Sequence, residues 1–186
     1  MDSLSVPLPL DTGFFKYHGD MMGKWEELIF PLFSGIPVKY LEIEEVYNAS
    51  YTNFIMNHLP ENSTATCIDT WQDQDDIFNN LSGYILKRGE TMEELQKLKV
   101  QDSDSSFDLI FFLTARKKVN LMDYLELFHE KLLNNNGVLV LNDYLNREEI
   151  KQGGMHTIDI VKRFLFKYQG QYKVLFSNFH LFLQKI

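Results

Sequence analysis

A three-layer α/β/α sandwich of the Rossmann-like class is predicted, with a mostly parallel seven-stranded sheet ending in an antiparallel hairpin. Three observations predict it. Strand-like and helix-like runs alternate from about Pro37 onward, which is the pattern of βαβ units. The run Phe107-Asp108-Leu109-Ile110-Phe111-Phe112-Leu113 is apolar almost throughout, as suits a strand covered by helices on both faces. Two further strand-like runs, Tyr172–Phe176 and Phe179–Leu183, are separated only by Ser177-Asn178, which is hairpin spacing.

The remaining elements follow in order. Met22–Ile29 reads as a helix in an extension that covers residues 1–36, ahead of a core at 37–186, with no internal domain boundary. Val38–Ile43 reads as the first strand and Ser50–Leu59 as the helix after it. Ala65–Asp69 is the second strand, followed by a helix through Ile77 and Leu81, and Tyr84–Lys87 is the third. Thr91 is placed to cap a helix over Met92–Leu98, with Glu94 completing a capping box. Leu121, Tyr124, Leu125, Phe128, Leu132 and Leu133 recur at helical spacing. Asn134-Asn135-Asn136-Gly137 stops that helix, Gly137 suits a left-handed cap, and Val138–Leu141 is the fifth strand. Thr157–Tyr168 repeats the helical spacing through Ile158, Val161, Phe164 and Leu165.

Composition narrows the function classes. With 186 residues the chain is long enough to bury a core without staples. Its net charge of −8 argues against general binding to nucleic acid or to an anionic membrane. The single cysteine, Cys67, excludes an intrachain disulfide and a multi-cysteine zinc site. No run approaches the roughly 18 apolar residues of a membrane span. The first residues lack a basic and then apolar leader, so an intracellular (cytoplasmic) or virion-associated protein is expected, not a secreted one. The sequons at Asn48, Asn62 and Asn80 then read as chance. The 15 Phe and 9 Tyr suffice for a homo-oligomer interface and equally for an ordinary core.

Open α/β sheets bind ligands at the carboxyl ends of their strands, where strand order reverses. That rule singles out Glu44–Ser50, Asp69–Trp71, Gly89–Thr91, Leu113–Lys118 and Asn142–His156. The chain from about Trp25 to Lys185 resembles small class I S-adenosylmethionine-dependent methyltransferases. Tyr40-Leu41-Glu42-Ile43 is similar to that family's first motif, and Cys67-Ile68-Asp69-Thr70-Trp71 to its second. Phe107-Asp108-Leu109-Ile110 is similar to the start of its fourth, and Gly137–Tyr144 to the run into its fifth. Ile158-Asp159 resembles the start of a late helix.

The resemblance implies S-adenosylmethionine as cofactor. It implies cofactor contacts at Glu42, Glu44, Asn48, Ser50, Asp69, Trp71, Glu90 and Thr91, with Asp69 holding the ribose hydroxyls. Several of these have plainer readings. An Asp ending a strand is also a helix N-cap, Thr91 is the cap already described, and Trp71 suits a core.

The departures from the family are specific. Glu44 and Asn48 stand where the family has glycines, and glycine is what lets backbone approach a ligand closely. Glu42, Glu44 and Glu45 together make the loop acidic. Leu113 stands where metal-dependent relatives place an aspartate ligand, and Arg116 where the family has a histidine. The next ligand positions fall on Asn142 and Asp143, a single carboxylate where hard ions prefer several oxygens. No catalytic metal is therefore expected.

A metal-free transferase still needs a base, and Asp143 and His156 are the candidates. His156 follows Gly153-Gly154 in the loop after strand five, and His180 reads as structural. Arg116-Lys117-Lys118 is a basic run suited to an anion or to plain solvation. Two functions follow. One is a methyltransferase acting on a small acceptor such as a sugar hydroxyl. The other is a catalytically inactive protein of the same fold that serves as a binding or assembly subunit for a protein partner.

Overall fold

The structure is a computed structural model, and it describes residues 21–43, 50–69, 84–88, 91–101, 106–114, 121–144 and 157–186. Helix α1 covers 21–28 and is followed by a 3-10 turn, Phe30–Phe33. Then come β1 (Lys39–Ile43), α2 (Ser50–His58), β2 (Thr64–Asp69), β3 (Tyr84–Arg88), α3 (Thr91–Gln101) and β4 (Phe107–Leu113). Helix α4 (Leu121–Leu127) runs into a π turn (Phe128–Leu132), followed by β5 (Leu133–Asn142), α5 (Thr157–Lys167), β6 (Tyr172–Ser177) and β7 (Leu181–Lys185). The helix expected through Ile77 and Leu81 lies outside the described residues.

The seven strands form one sheet in the order β3-β2-β1-β4-β5-β7-β6. Strands β1 to β5 pair in parallel, and β7 is antiparallel to both β5 and β6. The predicted class is therefore the observed one. Strand order reverses between β1 and β4, so the ligand crevice of such a sheet falls at their carboxyl ends.

Successive side chains of a strand point to opposite faces, and both faces here are covered. Leu41, Ile43, Ile110, Phe112, Leu139 and Leu141 pack with Tyr124, Phe128, Val161 and Phe164 of the α4 and α5 layer. Tyr40, Leu109, Phe111, Val138 and Val140 pack with Trp25, Ile29, Phe54 and Ile55 of the α1 and α2 layer. Each such side chain, fully buried, contributes about 1.5–3 kcal/mol. The uninterrupted apolar run of β4 is explained by this double covering.

Three local expectations are corrected. The helix ending at Leu133 closes through the π turn, and β5 starts at Leu133 rather than at Val138. Lys185 accounts for this, because its Nζ donates to the carbonyls of His129 (2.7 Å) and Leu133 (3.1 Å) that the turn leaves open. The hairpin carries three residues, Asn178–His180, between its strands rather than two. Glu94 pairs with Lys97 one turn on.

The third correction concerns Gly137. Asn136 takes the left-handed conformation (φ 64°), and Gly137 does not. A Cβ at Gly137 would lie 2.8 Å from the Asn134 carbonyl oxygen, 2.9 Å from Leu133 Cδ1 and 3.1 Å from the Asp108 carbonyl oxygen. The glycine is required by space, where β5 bulges against β4 between the Phe107–Leu133 and Leu109–Val138 pairs. Gly137→Ala should therefore cost about 1–3 kcal/mol, read as a lower urea midpoint at unchanged slope. Asn136→Gly should hold or raise that midpoint. An unchanged midpoint for Gly137→Ala would show that the bulge yields freely.

Candidate functional site

The carboxyl ends of β1 and β2 begin the site. Glu42 is fully buried, and strand alternation turns it toward α2 on the same face as Tyr40. Its Oε2 accepts hydrogen bonds from the Tyr40 hydroxyl and from Thr52 Oγ1 of α2, both at 2.7 Å. Thr52 Oγ1 also lies 3.9 Å from Cys67 Sγ of β2. A carboxyl in so apolar a place costs several kcal/mol unless hydrogen-bonded, and these hydroxyls make its burial tolerable. In register, Glu42 stands between Cys67 of β2 and Phe111 of β4.

Asp69 closes β2 two residues beyond that level and pairs with Arg88 of β3. Ser50 opens α2, and the fully buried Thr91 opens α3. The parallel sheet thus places the backbone of Glu42, Ser50, Asp69 and Thr91 toward its carboxyl edge. Glu44, Asn48, Trp71, Glu90 and His156 lie outside the described residues, as do Glu45 and the Arg116–Lys118 run.

The ends of β4 and β5 form the other side of the crevice. Leu113 is buried and pairs with Asn142. Thr114 Oγ1 donates to the Asn142 backbone oxygen at 2.6 Å, and Asn142 Oδ1 accepts the Asp143 N–H at 2.8 Å. Asp143 sits half-buried with φ 58°, a left-handed turn that Asp tolerates better than most residues. Tyr144 N–H then donates to the Phe179 carbonyl at 2.9 Å, joining this turn to the hairpin. Burial raises the Tyr144 phenol above its ordinary range, and the Asp159 carboxylate adds to the effect.

Among the described residues, the ends of β4 and β5 offer few oxygen donors for a divalent cation. Leu113 has no donor atom, the Asn142 side-chain oxygen accepts from its own turn, and Asp143 supplies one carboxylate. Among the described residues no three His, Cys, Asp or Glu side chains are grouped to hold a metal ion. No helix of the described residues is long and apolar enough to cross a membrane.

Sequence reasoning missed a pair beside this edge. His180 is fully buried, level with the end of β5 because Leu181 pairs with Leu141. Its Nε2 lies 3.5 Å from the hydroxyl of Tyr51, at the start of α2, and its ring meets Phe111 edge-on with centroids 5.9 Å apart. Its burial agrees with the structural reading, although it lies in the turn and not on a strand. The two residues are 129 positions apart, so only the fold reveals the pairing.

No family model matches the chain, and no curated protein matches it. Solved structures do match. The O-methyltransferase TomG from Streptomyces achromogenes, involved in tomaymycin synthesis and solved with SAM, aligns with a TM-score of 0.68 at 14% identity. That alignment covers 99% of this chain and 92% of that one. An O-methyltransferase from Bacillus cereus, solved with SAH, gives 0.64 at 14% identity over 97% and 94% of the two chains. A protein from Corynebacterium glutamicum gives 0.62 at 15% identity over 95% and 91%. At such identities the likeness shows the fold alone, a Rossmann-like α/β/α sandwich that this chain shares with these proteins.

The Glu42 network yields a stability prediction. Thr52→Val removes one of the two hydroxyl donors to a buried carboxyl oxygen and should cost about 1–3 kcal/mol. Chemical denaturation checks it, and a wild-type midpoint would show that Glu42 does not depend on Thr52.

Proposed function

We propose that this chain binds S-adenosylmethionine across the carboxyl ends of β1 and β2 and transfers the methyl group, without a metal, to a small acceptor such as a sugar hydroxyl. The observation that carries the reading is Asp69. It ends the second strand of a sheet with this strand order, beside the point where the order reverses.

A carboxylate at that position suits the two hydroxyls of a ribose, each of which it can accept. When bound, the sulfonium supplies an electrophilic methyl, and the protein's work is to align the acceptor in line with it. Thr91 and Glu90, at the start of α3, are assigned to the adenine edge, Trp71 to the adenine face, and Ser50 with the 44–48 loop to the methionine end. Asp143 is assigned the acceptor's proton, with His156 as the other candidate base.

A second reading is a non-catalytic subunit of the same fold. Leu113 favours it, because it seals the end of β4 with an apolar side chain where metal-dependent relatives place an aspartate.

Calorimetry with S-adenosylmethionine and S-adenosylhomocysteine separates the two. The enzyme reading expects micromolar binding that Asp69→Ala weakens at least about a hundredfold, as for a lost charged hydrogen-bond pair. No heat at millimolar ligand would sink it. Glu44→Gly should tighten binding, since it removes a carboxylate near that of the cofactor. Weaker binding would count against the account of that loop.

A further inference from the structure

Two exposed apolar patches on opposite helical layers carry opposite charge. The first is on α5. Phe166 is 81% exposed, with Lys162 and Arg163 one turn back and Lys167 beside it. Glu126 holds Lys167 at 2.7 Å, whereas Lys162 and Arg163 form no salt bridge among the described residues. Residues 157–186 contain five Lys and Arg (162, 163, 167, 173 and 185) and one acid, Asp159, a net of +4. The whole chain has 18 and 26, which leaves 13 against 25, or −12, for residues 1–156.

The second patch lies across the sheet, on the α1 and α2 layer. Leu32 is 41% and Ile36 62% exposed, in the 3-10 turn and the segment leading to β1. Val38 N–H donates to Ser63 Oγ, and Thr64 N–H donates to the Val38 carbonyl, both at 2.9 Å. These bonds bring the segment before β1 against the turn that carries exposed Glu61. Glu26 of α1 is exposed on the same layer, 3.5 Å from His58 Nε2.

We propose that these patches dock in trans, the α5 face of one copy against the Leu32–Ile36 face of a second. Phe166 meets the two aliphatic side chains, and Lys162 and Arg163 meet Glu61 and Glu26. An aromatic anchor ringed by charge is the usual make-up of a protein interface. A long polyanion or an anionic bilayer would instead meet a chain whose net charge is −8. The contact joins two different faces, so it does not close on a two-fold axis and builds a ring or an open chain. Both faces are on the helical layers and leave the carboxyl edge of the sheet open.

Sedimentation velocity of the whole chain tests the contact. The mean mass should rise above 21.9 kDa with concentration at low salt. It should fall back in about 0.5 M salt, where charges are screened. The double variants Lys162→Glu/Arg163→Glu and Ile36→Lys/Glu61→Lys, each checked for an unchanged circular dichroism spectrum, should separately associate at least about tenfold more weakly. Mixed together they should associate again, because the acidic face intact on the first meets the cationic face intact on the second. A wild-type chain that stays monomeric, a variant that self-associates like wild type, or a mixture that stays monomeric would each overturn the proposal.

Discussion

The carboxylate of Asp108 ties together the three central strands at their amino ends. Its Oδ2 accepts the Lys39 N–H that starts β1 at 2.9 Å, and its Oδ1 accepts Asn134 Nδ2 from the bulge of β5 at 2.7 Å. Because these strands are β1, β4 and β5, this clamp sets what stands level at the other end of the sheet. Glu42 comes opposite Phe111, and Leu113 opposite Asn142. A slip of one residue would turn every side chain of β1 to the other face. Glu42 would then leave Thr52 and enter the apolar layer under α4 and α5. Gly137 belongs to the same constraint, since only a residue without Cβ lets the bulge lie against the Asp108 carbonyl.

Seen from that clamp, the two ends of the sheet differ in kind. Buried polar side chains gather toward the carboxyl end: Glu42, Thr52, Thr91, Thr114, Asn142 and His180. Buried polar groups cost about 1–3 kcal/mol each when left unpaired, so their accumulation at one edge is a standing charge on stability. The fold offsets it with short internal bonds, Thr52 to Glu42 and Thr114 to Asn142. These bonds fix the geometry of the carboxyl edge of the sheet.

How far the sequence disclosed this depended on the range of the forces involved. Strand β4 was legible to the residue because double burial leaves an unbroken apolar run. Asp69 was legible as the last residue of β2 because the apolar run of that strand stops there. The start of β5 was not, since it depends on a lysine 52 residues on that caps Leu133. Gly137 was read as a left-handed cap from local chemistry, whereas a neighbouring strand's carbonyl sets its role. The Tyr51–His180 pair has no local signature at all. Glu44 and Asn48, which depart from the glycines of the family the sequence resembles, lie outside the described residues.

The end of β4 bears most directly on what chemistry the crevice supports. Replacing Leu113 by aspartate would supply one donor beside Asn142. The Asn142 side chain would still be folded back on the Asp143 N–H, and its backbone oxygen would still be taken by Thr114. A reading in which any methyl transfer here relies on alignment and a carboxylate or imidazole base draws on the one carboxylate, Asp143, that follows the described end of β5.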